Sequence, residues 1–409
     1  MPPHQGFYRG GTEAVKIGMA GPIDITLLRD LFPPDVTIEK TFSFALTANL
    51  ARAYYDRGHE VVLFAQSSEV KTTRLIEGDR ISAYICPLRR PRYRMLDFFR
   101  QERRTLRDAM RASKCDVVHA HWTYDFASAA IASGVPHVVT AHDVVTAILR
   151  YEHHPHQVEK MLLAWPVLRN ARCVTAPSPY VAEALKGFLR RTRNIVVVPN
   201  GVPQKQFDHF KQRQQHSDSG PMTFASVLQG WSKRKNAEKL IEAFAMLRAE
   251  FGDRVKLLML GVDYENEGTA CNWSRERHLG EGITFAGVQP FQTLMNRLLQ
   301  EVDILVHPAL EESFCMAAAE AMAVGIPVIG GLESGALSWV LGEGKAGLLV
   351  DVKSADSIAK GMRLMFEDSQ MRKALALAGH ERAFAEFRLE DVAAKYEAVL
   401  EKALEEQTR

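Results

Sequence analysis

Apolar residues recur along this chain with two periods. Short β-branched runs, almost continuous in apolar residues, alternate with longer stretches whose apolar positions return every three or four residues. In the first half the runs Val15–Ala20, Glu60–Ala65, Ser82–Pro87, Asp116–Ala120, His137–Ala141, Cys173–Ala176 and Ile195–Pro199 read as strands. Continuous runs are what parallel strands buried on both faces require. Between the first two, Leu46, Leu50, Ala53 and Tyr54 share one helical face, and Arg57-Gly58 is a helix stop. A second series starts at Met222–Val227. It continues through Val255–Leu260, Ile283–Ala286, Ile304–His307, Pro327–Ile329 and Gly347–Val350. Its first helix, Ala237–Glu250, places Leu240, Ile241, Phe244 and Leu247 on one face, and Leu389–Glu405 reads as a last amphipathic helix.

Strands alternating with helices predict parallel sheets with right-handed crossovers, and two such series predict an α/β chain with two Rossmann-like domains. Asn200-Gly201-Val202-Pro203 breaks the first series, and the polar segment Gln204–Gly220 reads as a linker. The expected organisation is a domain over 1–203, a linker over 204–220, a second domain over 221–388, and a helix over 389–409 that crosses back to the first. A length of 409 residues suits two domains better than one. Ligands of open α/β sheets bind outside the carboxyl ends of the strands, which puts the expected site in a cleft between the domains.

With 46% hydrophobic and 24% charged residues the chain can bury ordinary cores. A net charge of +2 gives no support for a nucleic-acid partner. Cys86, Cys115, Cys173, Cys271 and Cys315 are scattered and show no CxxC pair, so neither a disulfide framework nor a zinc site is suggested. The segment Met1–Gly11 is polar and Gly-rich, unlike a signal peptide. No run approaches the roughly 20 apolar residues that a membrane span needs. The expectation is a cytoplasmic protein, with peripheral attachment at the inner membrane face left open.

The segment from His307 to Ile329 carries the most chemistry. A strand ends at His307-Pro308, a short loop holds Glu311, Glu312 and Ser313, and an Ala-rich helix closes at Gly325 before the next strand. Helix starts present unpaired N–H groups and a positive dipole, so the amides of Phe314, Cys315 and Met316 suit a phosphate. Glu320 lies inside an otherwise apolar helix, where a carboxylate suits ribose hydroxyls, and Glu312 suits a sugar hydroxyl near the phosphate. Read singly, either glutamate is a solvated surface charge or a helix cap.

These residues resemble the E-x7-E motif of the family 4 retaining glycosyltransferases, which have the GT-B fold; Glu312 and Glu320 occupy its acidic positions. The resemblance covers nearly the whole chain. Gly58-His59-Glu60-Val61, Asp116-Val-Val-His-Ala-His121, Thr140-Ala-His-Asp143, Val198-Pro-Asn-Gly-Val202 and Lys235-Asn236 before Leu240-Ile-Glu-Ala-Phe244 follow the family's order and spacing. It implies two Rossmann-like domains facing across a cleft and retaining transfer from a UDP- or GDP-sugar. The acceptor would be a glycan, a lipid-linked group or a small molecule. Glu320 would bind ribose, Glu312 the donor sugar, and Lys235 the diphosphate as it leaves. His142 would hydrogen-bond the sugar or aid the acceptor. His119 and His121 read more simply as packing histidines of a strand. No metal and no cofactor are implied, and the departing phosphate would accept the acceptor's proton in a front-face attack.

The chain departs from the family pattern at three places. The arginine expected five residues before Lys235 is Gly230, so Arg234 is the candidate substitute. The usual Gly-Phe-Gly is Ser313-Phe314-Cys315, and around Gly18, Gly21 and Pro22 the glycine-rich first loop is weak. Two alternatives stay open: a nucleotide-sugar 2-epimerase of the same fold, or a non-catalytic nucleotide-sugar-binding protein, which Gly230 and Cys315 keep alive. A glycan phosphorylase would usually be much longer.

One further stretch stands out. Between Arg89 and Arg111 nine arginines face three acids, Asp97, Glu102 and Asp108, with Met95, Leu96, Phe98 and Phe99 among them. It reads either as a surface for anionic lipid or as a solvated helix face packed on the first domain. Arg190, Arg191 and Arg193 are candidates to extend it.

Overall fold

Both apolar series fold as sheets. The computed structural model describes residues 14–42, 44–153, 155–189, 195–213 and 220–408. Met1–Gly11 and the three arginines 190, 191 and 193 lie outside the described residues.

The first sheet comprises β1 (Lys16–Ala20), β2 (Glu60–Ser67), β3 (Arg74–Glu77), β4 (Ile81–Pro87), β5 (Val117–His121), β6 (His137–Thr140), β7 (Cys173–Ala176) and β8 (Val196–Val197). Their order is β3-β4-β2-β1-β5-β6-β7-β8. β1 pairs in parallel with β2 and with β5, and β2 with β4. The edge strand β3 runs antiparallel to β4. β3 escapes the sequence pattern because it is four residues long and only Ile76 of it is buried.

The second sheet comprises β9 (Met222–Val227), β10 (Val255–Leu260), β11 (Ile283–Gly287), β12 (Ile304–His307), β13 (Val328–Gly331) and β14 (Leu348–Val350). Its order is β11-β10-β9-β12-β13-β14, parallel throughout. Alternate residues feed two cores. Phe224, Leu257, Met259 and Ile304 face one side, where they meet Leu240, Phe244 and Leu247 of the helix Ala237–Phe251. Ala225, Leu258 and Leu305 face the other, where they meet Ala318, Ala319 and Met322 of the helix Met316–Ala323. Each fully buried Phe or Leu stabilises by roughly 1.5–3 kcal/mol, so these faces fix strand register.

By compactness the chain falls into two units. One comprises Met1–Val139, Asn170–Cys173 and Ala398–Arg409; the other comprises Thr140–Arg169 and Val174–Glu397. The polar stretch read as a linker holds two short helices, Gln204–Asp208 and Phe210–Arg213. Phe207 is buried there and the Phe210 ring stacks on His380 at 3.6 Å, so two aromatic anchors order an otherwise polar segment. No described helix is long and apolar enough to cross a membrane.

Candidate active site

The strand order of the second sheet reverses between β9 and β12, which pair through Phe224 with Ile304 and Ala225 with Leu305. Connections leave the carboxyl ends of these strands in opposite directions, opening the crevice where α/β folds bind ligands. Both chemistry-bearing loops start there. Residues 228–236 follow β9 and residues 308–315 follow β12.

The two loops are tied together. Leu310 N donates to Arg234 O at 2.8 Å. Asn236 takes a left-handed conformation (φ 54°) at the start of its helix and donates through Nδ2 to Pro308 O at 3.0 Å and Val352 O at 2.7 Å. On the far side, Ala336 N donates to Glu312 O at 2.8 Å, and Ser178 Oγ to Ser313 O at 2.7 Å. Gly335 (φ 63°) packs so closely that a Cβ would stand 2.4 Å from the Glu312 carbonyl oxygen.

One carboxylate gathers the charge. Lys235 Nζ lies 2.6 Å from Glu312 Oε1, and His307 Nε2 lies 3.0 Å from the same oxygen. Burial alone would raise the Glu312 pKa. The Lys235 charge and the His307 hydrogen bond outweigh it and hold the carboxyl well below the usual range. Burial likewise disfavours the imidazolium of His307, but the Cys315 sulfur and Glu312 push the ring up to about 9. A carboxylate held by two cations and fixed by its backbone is pre-organised to orient a hydroxyl.

Beside it, Glu311 has the opposite character. It is 4% exposed, and its Oε1 has no hydrogen-bond partner. Burial first, then the Glu312 charge, push it up to about 7; Arg234 and Lys235 oppose the shift and Asp143 adds to it. The Tyr180 hydroxyl, pushed up to about 12 mainly by burial, neighbours the Glu311 carboxyl. Arg234 Nε donates to Glu152 Oε1 at 2.9 Å, and Nη1 reaches Glu311 O at 3.5 Å. Arg234 thus braces the loop as well as carrying charge.

The remaining residues singled out in the sequence fall as follows. The acidic helix begins at Met316 with Cys315 as its N-cap (φ 82°), so the amides of Met316, Ala317 and Ala318 are its first. Phe314 and Cys315 are buried, and the Phe314 ring packs on Trp339 and Phe387. Glu320 is half-buried in that helix, and burial pushes it up to about 7. Gly230 (φ 82°) ends the turn after β9, where Trp231 N donates to Asp263 Oδ2 at 2.8 Å. His142 is half-buried just past β6, and burial pushes it down to about 3, so its ring is neutral at ordinary pH. Its neighbour Asp143 lies near enough to act on Glu311. His119 and His121 are buried in β5 with rings 4.2 Å apart, and His119 Nδ1 lies 3.1 Å from the Tyr54 hydroxyl.

The sequence reading gave no role to His307, Glu311 or Glu152. For His307 and Glu311 the available signal was a histidine, then two adjacent glutamates, at the carboxyl end of a buried strand.

Sequence comparison decides the family. The model of "Glycosyl transferases group 1" matches residues 208–382, and that of "Glycosyltransferase Family 4" matches residues 45–206. The chain belongs to the group 1 glycosyltransferases of the family 4 type. As a glycosyltransferase it takes its sugar from a nucleotide-sugar donor. It is similar to the N-acetyl-alpha-D-glucosaminyl L-malate synthase of Bacillus anthracis, at 22% identity over 69% of this chain and 74% of that protein. Other relatives are matched over about two thirds of their own length. The glycosyltransferase shares its GT-B fold with sucrose-phosphate synthase from Thermosynechococcus elongatus. That match has a TM-score of 0.73 at 18% identity and covers 95% of this chain and 98% of that one. The structure of Anabaena HepE in complex with UDP-glucose aligns with a TM-score of 0.69 at 17% identity, over 95% of this chain and 100% of that one.

Proposed function

We propose that this glycosyltransferase moves a sugar from a UDP-sugar to an acceptor hydroxyl, with retention at the anomeric carbon and without a metal ion. The observation that carries the reading is the Lys235–Glu312–His307 cluster at the β9/β12 switch point, one turn before the helix that holds Glu320. The UDP-glucose bound by HepE on the same fold favours uridine over guanosine.

Each group has a task. The Lys235 ammonium and the amides of Met316, Ala317 and Ala318 take the diphosphate charge as it develops. Glu320 accepts from the ribose hydroxyls, Glu312 from a hydroxyl of the donor sugar, and the neutral His142 ring hydrogen-bonds the sugar. The bond from anomeric carbon to phosphate oxygen breaks while the acceptor oxygen attacks from the same face. The acceptor's proton passes to the departing phosphate. The acceptor is a glycan, a lipid-linked group or a small molecule.

A thermal-shift panel of nucleotide sugars, with and without Mg²⁺, on the wild type and on Glu320→Ala tests this. At about a hundred times its Kd, a donor should stabilise the wild type by about 2.7 kcal/mol. A UDP-sugar should do so without Mg²⁺, and Glu320→Ala should lose the effect. A shift that needs Mg²⁺, or survives in Glu320→Ala, counts against the assignment. Conversion of the donor with no acceptor present would point to the epimerase instead.

A further inference from the structure

The arginine-rich segment after β4 takes no part in this site. It folds as the helix Pro91–Leu96, a turn, and the helix Arg100–Ser113. The second helix buries Leu106, Ala109 and Met110, so its apolar face is already packed. The apolar residues before it are not. Leu96 is 82% exposed, the highest value for a large hydrophobic residue among those described; Tyr93 is 48% and Phe98 44% exposed.

The backbone holds them out. Phe98 (φ 51°) and Phe99 (φ 57°) are consecutive left-handed residues, a conformation unfavourable for aromatic side chains. The turn is pinned by Phe99 N donating to Arg94 O at 2.8 Å and by the Arg94 guanidinium 5.2 Å from the Phe99 ring centroid. Exposing Leu96 and Phe98 through a strained turn has no packing benefit within the chain.

Charge surrounds these side chains. Seven arginines lie between Arg89 and Arg104 against two acids, Asp97 and Glu102. Both acids are spent on Arg89, whose Nη1 donates to Asp97 Oδ2 at 3.0 Å and whose Nη2 donates to Glu102 Oε2 at 2.6 Å. Arg90, Arg92, Arg100 and Arg104 are exposed. Arg92 Nη2 donates to the Tyr93 hydroxyl at 2.7 Å, so the ring keeps an apolar body under a wet, cationic tip.

We infer that Arg90–Arg104 is a docking surface for an anionic lipid bilayer, with Leu96 and Phe98 entering the interface and the arginines meeting the headgroups. Protruding aliphatic and aromatic groups distinguish it from a nucleic-acid surface, which would leave Leu96 in water. The inference rests on this surface alone and is independent of the donor reading.

Flotation of the full chain with vesicles of phosphatidylcholine, with and without about one quarter phosphatidylglycerol, tests it. Binding should need the anionic lipid and weaken as salt rises. Each arginine near the surface contributes about fivefold in partitioning, so replacing Arg90, Arg92, Arg100 and Arg104 together by glutamine should weaken binding by a hundredfold or more. The pair Leu96→Ser and Phe98→Ser should weaken it about tenfold or more through lost apolar burial. All six side chains face solvent, so circular dichroism should show both variants folded. Equal binding to neutral vesicles, binding indifferent to salt, or full binding by either variant would overturn the inference. So would absent vesicle binding, whether the chain instead binds a single-stranded RNA or pairs with a second copy through Leu96.

Discussion

Replacing Glu311 by glutamine should stabilise the ligand-free protein above neutral pH and do so less in mild acid. Glu311 is almost fully buried, and burial and Glu312 push its pKa from 4.5 to about 7. A carboxyl whose folded pKa is raised binds a proton that the unfolded chain has released. Stability therefore falls as pH rises between the two values; no penalty acts below the lower one and the full penalty acts above the upper one. At about 1.36 kcal/mol per pKa unit, the penalty is about 1 kcal/mol near pH 5 and about 3 kcal/mol near pH 8. Glutamine keeps the shape and removes the charge. Thermal unfolding of both proteins at these two pH values should show Glu311→Gln ahead by several degrees at the higher and by about a third of that at the lower. Glu320 titrates in the same sense in both proteins, so it drops out of the difference. An equal gap at both pH values, or a wild type that is the more stable at pH 8, would refute the reasoning. The second result would mean that Glu311 is ionised and paired with Arg234.

Three other substitutions probe the same crevice. Lys235→Ala should cut turnover by about 10²–10³-fold through lost stabilisation of the leaving diphosphate; steady-state kinetics that show little loss would remove Lys235 from the mechanism. Gly335→Ala would force a Cβ against the Glu312 carbonyl at a positive φ, so it should cost roughly 1–3 kcal/mol of stability and turnover with it. An unchanged melting curve would show that the contact is slack. His307→Phe removes a partner that lowers the Glu312 pKa, so the acid limb of the kcat/KM–pH profile should move to higher pH; a limb that stays put would deny His307 that role.

Most of the fold was legible because burial imposes a pattern. β9, β10 and β12 have the ends that the apolar runs mark, and Leu240, Ile241, Phe244 and Leu247 are buried as their spacing requires. The misses share one cause. β3 lies at a sheet edge with a single buried side chain, and the helices over Gln204–Arg213 are anchored by only a few residues, Phe207 and Phe210 among them. Where few side chains are buried, composition says polar and cannot say which backbone.

The site divides in a similar way. Lys235, Glu312 and Glu320 stand at spacings that a motif can record. His307 meets Glu312 only five residues on, whereas Glu311 and Glu152 act with partners distant in sequence, and pairing of β9 with β12 is what brings Lys235 and Arg234 to the loop after His307. Adjacency in the chain is a poor guide to chemistry here. Glu311 and Glu312 are consecutive, both are shielded from water, and burial raises the pKa of each. Glu312 meets Lys235 and His307 directly and stays ionised. Glu311 feels the negative charges of Glu312 and Asp143 with only partial relief from the two cations, and it keeps its proton toward neutral pH. Two identical side chains thus sit in opposite protonation states near pH 6, one fit to accept hydrogen bonds and the other to donate one, and only the arrangement of charges around the strand ends tells them apart.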